Sequence, residues 1–127
     1  MKSDVFEFIK MKKNSNNWKF RTFRVVDDSG TKGWITVLTE VVEKSEQYTV
    51  VLCSFAFVNC KKDRPSRKIG QYIAAKRFLA NCYRKLQITN KSSIIPHLKN
   101  AIIEEASLKN KGKGIFWLKG INEQHLV

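Results

Sequence analysis

The chain has 127 residues and carries a net charge of +13, with 43% hydrophobic and 11% aromatic residues. That length and composition describe one folded domain with a single modest core, and exclude a disordered chain. So large an excess of cations repels itself in a compact state and therefore answers to an anionic partner: nucleic acid first, an acidic protein or membrane surface otherwise.

From the N-terminus, Met1–Lys13 is amphipathic; Phe6 and Phe8 alternate around Glu7, which suits a short strand or a helix. With the polar loop at 14–17 it forms a segment expected to be loosely packed or flexible. Trp18–Val26 then alternates, with Trp18, Phe20, Thr22, Arg24 and Val26 on one face and Lys19, Arg21, Phe23 and Val25 on the other. Period and β-propensity make this a strand. Asp27-Asp28-Ser29-Gly30 is a turn, and Trp34–Glu43 a second strand with Ile35, Val37 and Val41 inward. After a tight connection at 44–46 comes a third strand, Tyr48–Val58, apolar on both faces and so central in its sheet.

A long helix is expected over Ser66–Leu86, capped by Asp63 or Ser66 with Pro65 in its first turn. Its inward stripe reads Ile69, Tyr72, Ile73, Leu79, Ala80, Tyr83 and Leu86, interrupted by Lys76, which would have to snorkel. A shorter helix begins near Ser93 with Leu98, Ala101 and Ile102 facing in. Residues 110–114 form a Lys/Gly loop, and Ile115–Lys119 a last short strand. The fold class is α+β: an antiparallel meander of four to five strands packed on one long helix, with a second short helix and a C-terminal strand. The whole chain, 1–127, is a single domain.

Charge is concentrated. Residues 61–103 hold eleven Lys or Arg and one acid, Asp63, while residues 25–60 are net negative by three. Solvated surfaces usually interleave both signs, so a one-sided block reads as a binding face. Its densest part is Lys61, Lys62, Arg64, Arg67 and Lys68, where the third strand passes into the helix. A helix start offers free N–H groups to phosphate, and cations there oppose the helix dipole, so a ligand is expected to hold them in place.

Trp18, Phe20, Arg21 and Arg24 mix rings with cations as single-strand binders do, stacking bases while cations track the backbone. Core packing explains the same rings equally well. Arg77, Arg84 and Lys85, with Lys91 just beyond, form an outward basic helix side that solvation explains better than specific contacts, and Lys109, Lys111 and Lys113 a basic loop that either wraps a phosphate backbone or is simply mobile.

Three cysteines without a C-x-x-C pair and only two histidines make neither a zinc site nor a disulfide scaffold. They read as buried thiols in a reducing cytoplasm. The acids do not pair for acid/base or Mg²⁺ chemistry, and no nucleophile–base arrangement stands out. The expectation is a non-enzyme without cofactor or metal and without a membrane-spanning segment.

The segment Asp63-Arg64-Pro65-Ser66-Arg67-Lys68-Ile69-Gly70-Gln71-Tyr72-Ile73-Ala74-Ala75-Lys76-Arg77 follows a D-x-x-S-R-K-x-G-x-x-I-A-x-x-R pattern. It resembles short bacteriophage proteins in which a strand leads into such a helix, a resemblance that implies a phage or mobile-element source and no particular activity. The meander-then-helix order is similar to Whirly-type and coactivator-type single-strand binders, which pair sheets across a dimer; the likeness is architectural, and fold does not fix function. The functional expectation is binding of single-stranded DNA or RNA through phosphate, with low sequence specificity, at an open sheet face or at the Lys61–Lys68 rim. The alternative is a phage-encoded protein that docks on an acidic surface of a host machine, such as RNA polymerase or a nuclease.

Overall fold

A computed structural model describes residues 2–15, 17–26, 32–59, 67–90 and 93–110. The elements are α1 (Lys2–Asn14), β1 (Lys19–Val26), β2 (Lys32–Lys44), β3 (Tyr48–Asn59), α2 (Arg67–Leu79), β4 (Arg84–Thr89) and α3 (Ile94–Asn110). The class is α+β, and the four strands lie in sequence order in one antiparallel sheet. The three strands read from alternation fall within a residue or two of their expected limits. β3 is central, as its two apolar faces require.

The register decides which side chains share a face. Phe23 opposes Ile35, which opposes Phe57; Val37 opposes Phe55. These residues, with Val25 and Cys53, pack against Leu98, Ala101 and Ile102 of α3. On the other face Leu38 and Ala56 join Trp18, Ile9 of α1 and Ala74, Ala75 and Phe78 of α2. The sheet is therefore covered on both faces. The expected open face is absent, because α3, with 17 residues, is longer than the short helix foreseen and lies across it. Its start was legible: Ser93 Oγ accepts the Ile95 N–H at 3.4 Å, a weak cap.

α2 sits close to the sheet because small residues face it. Gly70 lies against Thr36, and the Ser54 hydroxyl, fully buried, donates to the Ala74 carbonyl at 2.7 Å. The inward stripe is thus Gly70, Ala74, Ala75 and Phe78; Ile69 and Leu79, expected inside, are each 49% exposed. Nor does the helix run to Leu86. It stops at Leu79, and Asn81 takes a left-handed conformation, φ 63°. The Cys82 N–H bonds to the Arg77 carbonyl at 2.8 Å and the Asn81 N–H to that of Phe78 at 3.0 Å, the paired bonds of a Schellman cap. The chain reverses there, and Arg84–Thr89 pairs with β3 as the fourth strand. Asn81→Gly is expected to raise stability by up to about 1 kcal/mol and Asn81→Ala to lower it by a similar amount, read from the urea midpoint.

The N-terminal segment is helix, not strand, with Ile9 in the core and Phe6 against Tyr72 of α2 at 5.4 Å between ring centres. The expected C-terminal strand at 115–119 and the caps at Asp63, Pro65 and Ser66 lie outside the described residues. Among the described residues no helix is long and apolar enough to cross a membrane.

Candidate nucleic-acid interface

Trp18 and Phe20 do not form a stacking platform. Trp18 is 3% exposed and is enclosed by Phe8, Phe78 and Phe20 at ring separations of 5.4, 5.5 and 6.3 Å. A base cannot reach a ring that already has protein on its faces, so the core reading of these aromatics holds. Arg21 lies on the face beneath α3, half-buried, its Nη1 donating to Thr39 Oγ1 at 2.8 Å. Removal from water holds its pKa below the ordinary arginine value. Arg24 is exposed and rests over the Trp34 ring at 4.9 Å.

Of the densest basic cluster, Lys61, Lys62 and Arg64 lie outside the described residues, as do Lys111 and Lys113. Arg67 opens α2. Lys68 is exposed, its Nζ 4.8 Å from the Phe6 ring centre. Arg77 does not project outward as expected. Its Nη1 donates to the Phe55 carbonyl at 2.7 Å, at the point where β3 runs on past its last partner in β4. Arg84, also read as part of an outward helix side, opens β4 and pairs with Glu104 at 2.8 Å. Lys85 is exposed on that strand, and Lys91 is outside the described residues.

What the structure does assemble is a basic line along α2. Lys68, Tyr72 and Lys76 succeed one another at i, i+4, i+8 along α2, one line of a helix. Lys68 stands over Phe6, Phe6 touches Tyr72, and Lys76 stands over Tyr72 at 6.0 Å. From α1, Lys12 lies over Phe8 at 5.4 Å and Lys13 over Phe20 at 5.8 Å. The ring faces steady the ammonium groups without neutralising them. α2 contains no carboxylate, and among the described residues the only ion pair is Arg84–Glu104. Lys13, Lys68 and Lys76 are exposed, and no carboxylate among the described residues pairs with any of these four lysines.

Lys12 and Lys13 escaped the sequence reading because α1 had no assigned face. Lys76 reads in the sequence as a break in an apolar stripe; its spacing of eight from Lys68 is the available signal. The two amines span about 12 Å of helix axis, over which duplex DNA presents about seven phosphates. Phosphates thus outnumber the cations, and no single register is imposed.

Cys53 is buried, and removal from water pushes its thiol up to about 12, outweighing the opposing pull of Arg84. Cys82 is exposed, contrary to the expectation of buried thiols, because the Schellman turn places it outside the helix; Cys60 is not among the described residues. Comparisons with protein-family models, with curated proteins and with solved structures give no match to this chain.

Proposed function

We propose that the chain is a non-catalytic nucleic-acid-binding protein that holds strands by their phosphates, with little sequence specificity. The observation that carries this reading is the Lys68–Tyr72–Lys76 line on a helix without carboxylates. Charge of one sign, steadied and unpaired, attracts polyanions and releases their counterions. Because both faces of the sheet are covered, the preference for single strands loses the stacking surface that motivated it. The recognised group is phosphate, so affinity follows phosphate density and not base identity.

Fluorescence anisotropy with single-stranded DNA, duplex DNA and RNA across a salt series tests this. Log K is expected to fall linearly with log salt, by about 0.9 per phosphate neutralised on duplex and about 0.7 on single strands. Lys68→Gln with Lys76→Gln is expected to reduce the slope by about 1.8 on duplex and about 1.4 on single strands, whatever the base sequence. An unchanged slope removes the stripe from the interface, and no binding at low salt removes the function.

A further inference from the structure

The turn that ends α2 brings two arginines from different elements to one place. Arg77 sits in the last turn of α2 and Arg84 is the first residue of β4. Asn81, at φ 63°, and the paired bonds back to Arg77 and Phe78 fix the reversal between them. At that corner is a half-enclosed notch of about 300 Å³, lined by Phe55, Arg77, Cys82, Tyr83, Arg84 and Glu105.

Among the described residues each guanidinium is anchored through Nη1. Arg77 Nη1 donates to the Phe55 carbonyl, and Arg84 Nη1 to the Ala101 carbonyl at 3.2 Å and to Glu104. Among the described residues the Nε and Nη2 groups of both make no hydrogen bond. Two forks are thus held in place with donors to spare, an arrangement that matches a planar or tetrahedral oxyanion. The Tyr83 ring, against Phe78 at 5.2 Å, closes one side.

Two carboxylates limit what fits. Glu104 is 65% exposed, so its pair with Arg84 is weakly held, while Glu105 faces the notch itself. A phosphodiester brings one charge and continues in both directions. A phosphate monoester brings a charge of about −1.5 to −2 at neutral pH and three acceptor oxygens on a chain end. The monoester satisfies two guanidiniums beside a carboxylate and suits a notch open on one side.

We infer that the notch between Arg77 and Arg84 binds the phosphate monoester of a nucleotide, at a strand end or on a free mononucleotide. The strand-end case rests on the nucleic-acid reading above; the mononucleotide case does not.

The test compares 5′-phosphorylated with 5′-hydroxyl oligonucleotides of one sequence by anisotropy, and adenosine 5′-monophosphate with adenosine by titration calorimetry. Wild-type protein is expected to favour each phosphorylated form about tenfold, as one charge-assisted hydrogen bond allows. Arg77→Lys keeps the net charge but loses the fork, so it should abolish that preference and leave the 5′-hydroxyl oligonucleotide unaffected. Circular dichroism spectra and urea midpoints of Arg77→Lys and Arg84→Gln, set beside those of the wild type, check that both variants remain folded. Equal affinity for both members of each pair overturns the notch while leaving phosphate-backbone binding intact. A preference that survives Arg77→Lys and Arg84→Gln overturns it as well. If no oligonucleotide binds but the monophosphate does, in an Arg77-dependent manner, the notch stands and the nucleic-acid function falls.

Discussion

Trp18→Ala is expected to cost about 3–5 kcal/mol, a large part of the stability of a domain this size. The indole is the meeting point of three elements: Phe8 comes from α1, Phe78 from α2 and Phe20 from β1, and each ring lies at an edge-on angle to it. Such pairs add about 0.5–1.5 kcal/mol each beyond the area they bury. Removing the side chain would leave a cavity bordered by a sheet and two helices, which cannot all close inward. Trp18→Phe should cost less than half as much. It loses ring area, but it also removes Nε1, a buried donor without an acceptor among the described residues, whose desolvation costs about 1–3 kcal/mol. Urea unfolding followed by circular dichroism gives both values. A midpoint unmoved in Trp18→Ala would mean that α1 and α2 are held to the sheet by something else.

Gly70→Ala is the second large effect, and its sign runs against helix propensity. In the middle of an exposed helix alanine would gain about 1 kcal/mol over glycine. Here an added Cβ would collide with Thr36 Oγ1 and stand 3.2 Å from Thr36 Cβ. Thr36 is itself buried and β-branched, on the middle of β2, so it has little room to yield. α2 must lift from the sheet, and the buried Ser54–Ala74 hydrogen bond one turn further along stretches with it. A net loss of about 1–3 kcal/mol is expected, and more for Gly70→Val. Thr36→Ala in the same chain should restore most of the loss, giving a coupling of about 1–2 kcal/mol in a double-mutant cycle. Additive single effects would show that the close approach is not what requires glycine.

The meander was legible because a strand announces itself with a period of two, and because β3, apolar on both sides, could only be central. The end of α2 was misread for a specific reason. Ala80, Tyr83 and Leu86 continue a helical spacing from Leu79, while Arg84, Leu86 and Ile88 also alternate with Lys85, Gln87 and Thr89. Two periods fit the same letters, and the decision lay with Asn81, a residue that tolerates the left-handed conformation. The inward stripe of α2 was misphased because large apolar residues were assumed to point in. The closest helix–sheet contact is instead made by Gly70 and Ala74, which bury little but permit proximity. The two faces of β1 were correctly separated, but alternation does not say which faces another element will cover. α3 covers one and α1 with α2 the other, so Trp18 went to the core. The ring of Phe6 under Lys68 needed α1 and α2 side by side, a pairing across about 65 residues of sequence.

The placement of α2 between β3 and β4 has a consequence for the order in which the chain is assembled. β1, β2 and β3 follow one another with only five and three residues between them, so their pairing closes short loops. The Val51–Leu86 pairing instead joins positions about 35 residues apart and must wait for that intervening length to be gathered in. α3 packs on β1, β2 and β3 and is also tied to that strand by the Arg84 hydrogen bond to the Ala101 carbonyl. Amide exchange in the native protein should therefore show two tiers, with β4 opening while the three-strand ribbon stays closed. The guanidinium corner sits on the seam between those tiers, so an anion captured there would fasten the last part of the molecule to the first.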